Sequence, residues 1–239
     1  MSETRTILIT GAAKGIGRAM ALHLAGPGTR LLLHYNTSGQ AALEAAQEAE
    51  ALGAAVELVQ ADLAISAERE AMMQRVDALT DTLQVLINNV GIYDGRELIE
   101  FTPESWQRIL DAGCSAVFHL TQRAVPLLRY GAPARVINLG DSGADRIVAR
   151  TTATPYHVAK LGVHVLTRSF AKLLAPERIT VNQISPGFLE GSLGEPGSPM
   201  PSGRKGTADD LLPALDYLLS PGAEYVTGAN IVVSGGWNQ

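Results

Sequence analysis

Residues 7–20 read ILITGAAKGIGRAM. An apolar run from Ile7 to Ile9 ends at Thr10, glycines follow at 11, 15 and 17, and the residues beyond carry helical spacing. A strand that turns through glycines into a helix lets backbone N–H groups approach a pyrophosphate at the helix N-terminus. The spacing is G-x-x-x-G-x-G, not the more widespread G-x-G-x-x-G. Its position between strand and helix favours dinucleotide binding over a purely structural turn.

The pattern begun there repeats along the chain. Short runs rich in β-branched residues and leucine predict strands at 6–10, 30–35, 56–60, 85–88, 135–139, 180–184 and 231–233. Longer Ala-rich stretches predict helices near 15–25, 39–52, 66–80, 103–129, 155–175 and 207–219. Apolar strands alternating with helices imply an α/β fold: a single-domain, Rossmann-type, doubly wound parallel sheet flanked by helices. No repeat or domain-breaking linker interrupts the 239 residues. They divide into a cofactor half, roughly 1–92, and a catalytic and substrate half, 93–239. The one compositional shift, GFLEGSLGEPGSPMPSGRKG at 187–206, follows the sixth strand and is expected to form a mobile lid.

Composition narrows the function. Hydrophobic residues at 46% and charged ones at 18% suit a globular protein, and a net charge of −5 without a basic cluster excludes a nucleic-acid footprint. The single cysteine, Cys114, suits a reducing cytoplasm, and neither a signal peptide nor a membrane span is expected. The histidines lack metal-ligand spacing, so no metal is expected. His23 and His119 are expected to pack or face solvent. Leu166, Phe170 and Leu173 are expected in the core or a subunit interface.

The second strand bears on the cofactor's phosphate state. An NAD site ends this strand on an acidic residue that grips the ribose 2′-hydroxyl. Here Tyr35 and Asn36 stand in that place, no acid is nearby, and Lys14 lies in the glycine turn, suited to a 2′-phosphate. NADPH is therefore expected ahead of NADH. Asp62, with Leu63 beside it, is expected near the adenine amino group, and Asn89 and Gly91 along the adenosine ribose.

In TPYHVAK, 154–160, Pro155 suits a first helical turn, and Tyr156 and Lys160 stand at i and i+4 on one face. A lysine ammonium near a phenol would stabilise phenolate and lower its pKa, so the tyrosine could pass a proton to a carbonyl oxygen as hydride arrives. Lys160 would also anchor the nicotinamide ribose. Alone, Y-x-x-x-K is a common helix pattern. After the glycine turn, NNVG at 88–91 and RVINLGDS at 135–142, in this order, it becomes specific.

With those pieces, ADL at 61–63, ITVNQISPG at 179–187 and VTGANIVVSGGW at 226–237, the chain resembles the short-chain dehydrogenase/reductase family over nearly its full length. The resemblance implies carbonyl–alcohol interconversion with NAD(P)(H) on a small-molecule substrate, and a homotetramer or homodimer. Carried over by position, Gly11, Lys14, Gly15, Ile16 and Gly17 would hold the cofactor. So would Asp62, Asn89, Gly91, Tyr156, Lys160 and the backbone around Pro186, Gly187 and Phe188. Tyr156 and Lys160 would be catalytic.

Two positions depart from the family. The serine expected three residues after Asn138 is Asp141, with Ser142 one place late. The asparagine of a proton-relay water chain is Gly113, which reads as a close helix contact and leaves a relay on backbone carbonyls open. An ionised aspartate only accepts hydrogen bonds and would raise the Tyr156 pKa. Either Asp141 is protonated, or it turns aside and Ser142 donates, or the substrate supplies a donor. Pteridine reductases, a branch of the family, carry aspartate at this place, and Tyr93 would give a flat ring a platform. They carry arginine where this chain has Gly15, and MPSGRKGTADDL at 200–211 resembles oxoacyl-type reductases. Reduction of a C=O in a small or acyl-type substrate is preferred. The alternatives are pterin reduction and a cofactor-binding regulator without turnover.

Overall fold

The computed structural model describes residues 4–143, 145–193 and 196–237. Seven strands, β1 (Arg5–Ile9), β2 (Thr29–Tyr35), β3 (Ala55–Gln60), β4 (Val85–Asn88), β5 (Ala134–Leu139), β6 (Ile179–Pro186) and β7 (Asn230–Val233), form one parallel sheet. Its order is β3-β2-β1-β4-β5-β6-β7. The order turns back after β3, so β4 joins the sheet beside β1 and opens a crevice at the carboxyl ends of β1 and β4. Every residue of β4 and β5 is buried, which explains why β4 reads as an apolar run closed by Asn88; Arg135 and Asn138 of β5 are buried polar residues.

Alternation along the strands divides the core into two layers. Leu8, Leu32, Leu86, Val136 and Val181 face α3 (Ser66–Leu79), α5 (Ala116–Tyr130) and α6 (Thr154–Leu174). Ile7, Ile9, Leu31, Leu33 and Ile137 face α1 (Gly15–Leu24) and α7 (Leu212–Leu219), and Ala49 of α2 (Gly39–Ala51) joins this layer. The result is the single-domain Rossmann-type fold that the sequence predicted. No helix among the described residues is long and apolar enough to cross a membrane. Phe170 is buried, whereas Leu173, on the same helix, is 65% exposed.

Two expected helices differ: that near 207–219 is a 3-10 turn, Ala208–Leu211, followed by α7. The single helix expected over 103–129 is α4 (Pro103–Leu110) and α5 joined by a π turn, Asp111–Ser115. The turn centres on Gly113, where a Cβ would lie 3.0 Å from the Ala159 Cβ of α6. Next to it the Cys114 sulfur fills the space beside Gly162. Close approach to α6 therefore explains the missing side chain at 113, and π turns recur at functional sites.

The segment 187–206 is fixed at its base. Glu190 donates its N–H to the Gly206 carbonyl at 2.8 Å and Gly206 its own to the Phe188 carbonyl at 3.0 Å. Part of the expected lid, residues 194–195, lies outside the described residues.

Candidate active site

The glycine turn closes over the end of β1. Gly11 and Gly15 have φ of +63° and +55°, a region that L side chains enter at a cost. A Cβ on Gly17 would fall on the Gly11 carbonyl oxygen, so that position is closed to side chains. Beside Gly15 the space is open for 4 Å. No side chain caps the first turn of α1 and no acidic residue lies in it. Its leading amides have no partner within the helix, and together with the helix dipole they suit an anion. Lys14 is exposed at this edge, and β2 ends on Tyr35 and Asn36, each half-buried.

Several expected cofactor contacts already have partners. Asn89 donates its side-chain N–H groups to the Thr10 and Gly11 carbonyls at 3.0 and 3.2 Å, which pins the turn to the end of β4. Asp62 accepts from Arg108 at 2.7 Å and from the Ala64 N–H at 2.9 Å. Partial burial works against ionisation of Asp62, but these bonds outweigh it and hold the carboxyl below its usual pKa. Leu63 is buried in the core. Gly91 lies against the lysine of the reacting centre: a Cβ there would sit 3.2 Å from the Lys160 Nζ.

Sequence reasoning missed His34. Its Nδ1 accepts the Gly11 N–H at 3.0 Å, so Nε2 carries the proton and donates to the Ala61 carbonyl, also at 3.0 Å. The ring is a neutral brace between the glycine turn and the end of β3. Burial lowers its pKa, against the Ala61 bond and the Asp62 charge. A histidine inside an apolar strand was the available signal, since a buried imidazole requires polar partners.

The reacting groups converge where α6 meets the ends of β5 and β6. Ala153, which precedes α6, is buried with φ of +51°, a strained setting for a non-glycine residue. It directs Thr154, Pro155 and Tyr156 into the first turn of the helix. Lys160 is 5% exposed and donates to the Leu139 carbonyl at 2.7 Å. Its Nζ lies 5.8 Å from the centre of the Tyr156 ring. The Tyr156 hydroxyl lies beside the Asp141 carboxyl group, whose charge acts on it. Asp141 also accepts the Gly143 N–H at 2.9 Å, which fixes its side chain. Ser142 is buried in the same wall and donates its backbone N–H to the Pro186 carbonyl.

This arrangement reverses the expected direction of the tyrosine shift. Burial first, and then the Asp141 charge, push the Tyr156 phenol well above its ordinary pKa. Burial lowers Lys160 to about 8, although Asp141 opposes that change. The buried ammonium therefore does not dominate the phenol, because burial and the nearby Asp141 charge both favour the protonated form. A protonated phenol at neutral pH is equipped to donate a proton.

Tyr156, Asp141 and Ser142 line a cavity of about 360 Å³. Its wall includes Ile16, Tyr93, Arg150, His157, Pro186, Gly187, Phe188, Leu189 and Trp237. The Tyr93 and Tyr156 rings meet edge to face at 5.2 Å, as do those of Phe188 and Trp237. Gly187 allows β6 to pass Ser234, whose Cα would lie 2.8 Å from a Cβ there. Beneath the site, Asn88 donates to Asn138 at 2.8 Å and Asn138 to Thr167 at 2.9 Å, a buried polar brace across β4, β5 and α6.

Residues 11–238 match the family model described as enoyl-(acyl carrier protein) reductase. A 3-oxoacyl-[acyl-carrier-protein] reductase of Staphylococcus aureus is 33% identical over 245 residues, covering 99% of each chain. Two solved structures share the architecture. A landomycin C-6 ketoreductase with bound NADP and rabelomycin has a TM-score of 0.87 at 29% identity, covering 99% of this chain and 97% of its own. A short-chain dehydrogenase from Burkholderia cenocepacia in complex with NADP has a TM-score of 0.90 at 26% identity, covering 99% of both chains.

Proposed function

This chain belongs to the short-chain dehydrogenase/reductase family of oxidoreductases, and we propose that it is an NADPH-dependent reductase of a C=O group in a small or acyl-type substrate. The placing of Tyr156 and Asp141 on one cavity, with the buried Lys160 ammonium 5.8 Å from the Tyr156 ring centre, carries this reading. Bound NADPH supplies the hydride. The glycine turn fits its pyrophosphate: Gly11, Gly15, Ile16 and Gly17 would bring amides to it, and Lys14, Tyr35 and Asn36 would receive the 2′-phosphate. Asp62 and Leu63 would hold the adenine, Asn89 and Gly91 its ribose, and Pro186, Gly187 and Phe188 the nicotinamide. Lys160 would hold the nicotinamide ribose and keep positive charge near the phenol.

Tyr156 donates the proton to the substrate oxygen. Asp141 orients its hydroxyl before the substrate arrives, and Ser142 lines the approach. The 187–206 segment acts as the lid of a one-domain enzyme whose cofactor half is roughly 1–92. Exposed Phe118 on α5 and Val158, Val165 and Leu173 on α6 support self-association through these helices. Pterin reduction is set aside because the named relatives act on oxoacyl and ketone groups. A regulator without turnover would not need Tyr156 at the cavity with Lys160 buried one helical turn away.

The test follows loss of NADPH or NADH absorbance with acetoacetyl thioesters, ketones and aldehydes. Turnover with NADPH is expected to exceed that with NADH by at least roughly tenfold in kcat/KM, since a phosphate–ammonium contact contributes on the order of 1.5 kcal/mol or more. Lys14→Ala should narrow the gap. Equal use of NADH would contradict the cofactor assignment, and tight NADPH binding without oxidation across the panel would favour the regulator.

A further inference from the structure

The cavity wall contains a cation without a carboxylate partner. Arg150 lines the same space as Tyr156, Asp141 and His157. Arg96, Arg108, Arg123, Arg129 and Arg204 each form an ion pair, but among the described residues Arg150 forms none. Its backbone is held firmly. The Arg150 carbonyl accepts the Thr154 hydroxyl at 2.9 Å, and the residues that follow are tied to 96–98 by Leu98 N–H to Thr151 and Ala153 N–H to Arg96.

The charge acts within the cavity. Burial is the main reason that the His157 pKa lies below its ordinary value, Arg150 adds to the lowering, and Asp141 opposes it. His157 therefore senses an anion from the tyrosine end and a cation from Arg150. A half-buried guanidinium without a counter-ion gains from a ligand anion, through charge-assisted and often bidentate bonds. The cavity of about 360 Å³ is near the lower end of ligand sites, which span roughly 300–1,000 Å³. A carbonyl at Tyr156 and an anion at Arg150 would then share one cavity, which suits a small substrate that carries both groups.

We propose that Arg150 binds the carboxylate of the substrate and that this chain reduces small oxo acids. The inference rests on the cavity being a carbonyl-reducing site. The carbonyl carbon gains the hydride of NADPH, which leaves as NADP+, and the carbonyl oxygen gains the Tyr156 proton. An oxo acid becomes a hydroxy acid, and Arg150 keeps its charge throughout.

The test compares kcat/KM for acetoacetate with methyl acetoacetate, and for 4-carboxybenzaldehyde with its methyl ester, in the native chain, Arg150→Gln and Arg150→Lys. The native chain should prefer the acids. Arg150→Gln should reduce the acid-to-ester ratio by roughly 10–100-fold through KM, the scale of a hydrogen bond to a charged group, and Arg150→Lys should retain part of it. A native preference for the esters or for a neutral acetoacetyl thioester would overturn the proposal, as would an unchanged ratio in Arg150→Gln. Titration of 3-hydroxybutyrate into NADP+-saturated protein separates the two readings. Binding lost in Arg150→Gln without any turnover would uphold the anion site while refuting carbonyl reduction. Equal binding in both proteins would refute the anion site.

Discussion

Tyr156→Phe lowers kcat by roughly 10²–10⁴-fold, the usual worth of a positioned general acid. The substitution removes one oxygen and keeps the ring, so the edge-to-face contacts with Tyr93 and His157 at 5.2 and 5.3 Å remain. Asp141 loses the hydroxyl beside it, and the cavity loses the proton donor that Tyr156 provides. NADPH affinity should change little, because the glycine turn and its amides are untouched by the substitution. Steady-state turnover, with a circular dichroism spectrum to establish folding, checks the expectation. A loss smaller than about tenfold would assign the proton to another group.

Lys160→Met is expected to cost on the order of 10²–10³-fold in kcat/KM, comparable to deleting an electrostatic donor from a buried site. Methionine fills much of the same channel without the charge or the 2.7 Å bond to the Leu139 carbonyl. The pH profile distinguishes this loss from simple misfolding. Lys160 is held at about 8, so its ammonium is present below that pH and is lost as pH rises through it. The phenol is shifted upward and remains protonated over the same window. The native kcat/KM should therefore fall above about pH 8, and the limb should be absent in Lys160→Met. A native profile flat across that window would contradict the role given to the ammonium.

The fold was legible because its signals are local. Ile7 to Ile9, the glycine turn and the apolar run at β4 each state their place through side-chain type. The i, i+4 spacing likewise put Tyr156 and Lys160 on one helical face. What could not be read depends on distance across the fold. Asp141 and Ser142 are adjacent in sequence, and only the turn after β5 determines that the Asp141 carboxyl group lies beside the Tyr156 hydroxyl. That contact, together with burial, reverses the sign expected for the tyrosine pKa. His34 supports Gly11 from 23 positions away, and Arg108 reaches Asp62 across 46. Arg150 lay in a stretch without periodicity, and its absence of a partner is a property of the assembled cavity wall.

Deuterium transfer tests the central claim most directly. The native chain is incubated with NADPH deuterated at C4, in each epimer, and with acetoacetate or methyl acetoacetate, and the alcohol product is analysed by mass and NMR. One deuterium at the carbinol carbon, from one epimer only, with formation of that product suppressed in Tyr156→Phe, is the predicted result. Unlabelled alcohol, or labelled alcohol formed equally well without the Tyr156 hydroxyl, would contradict the account.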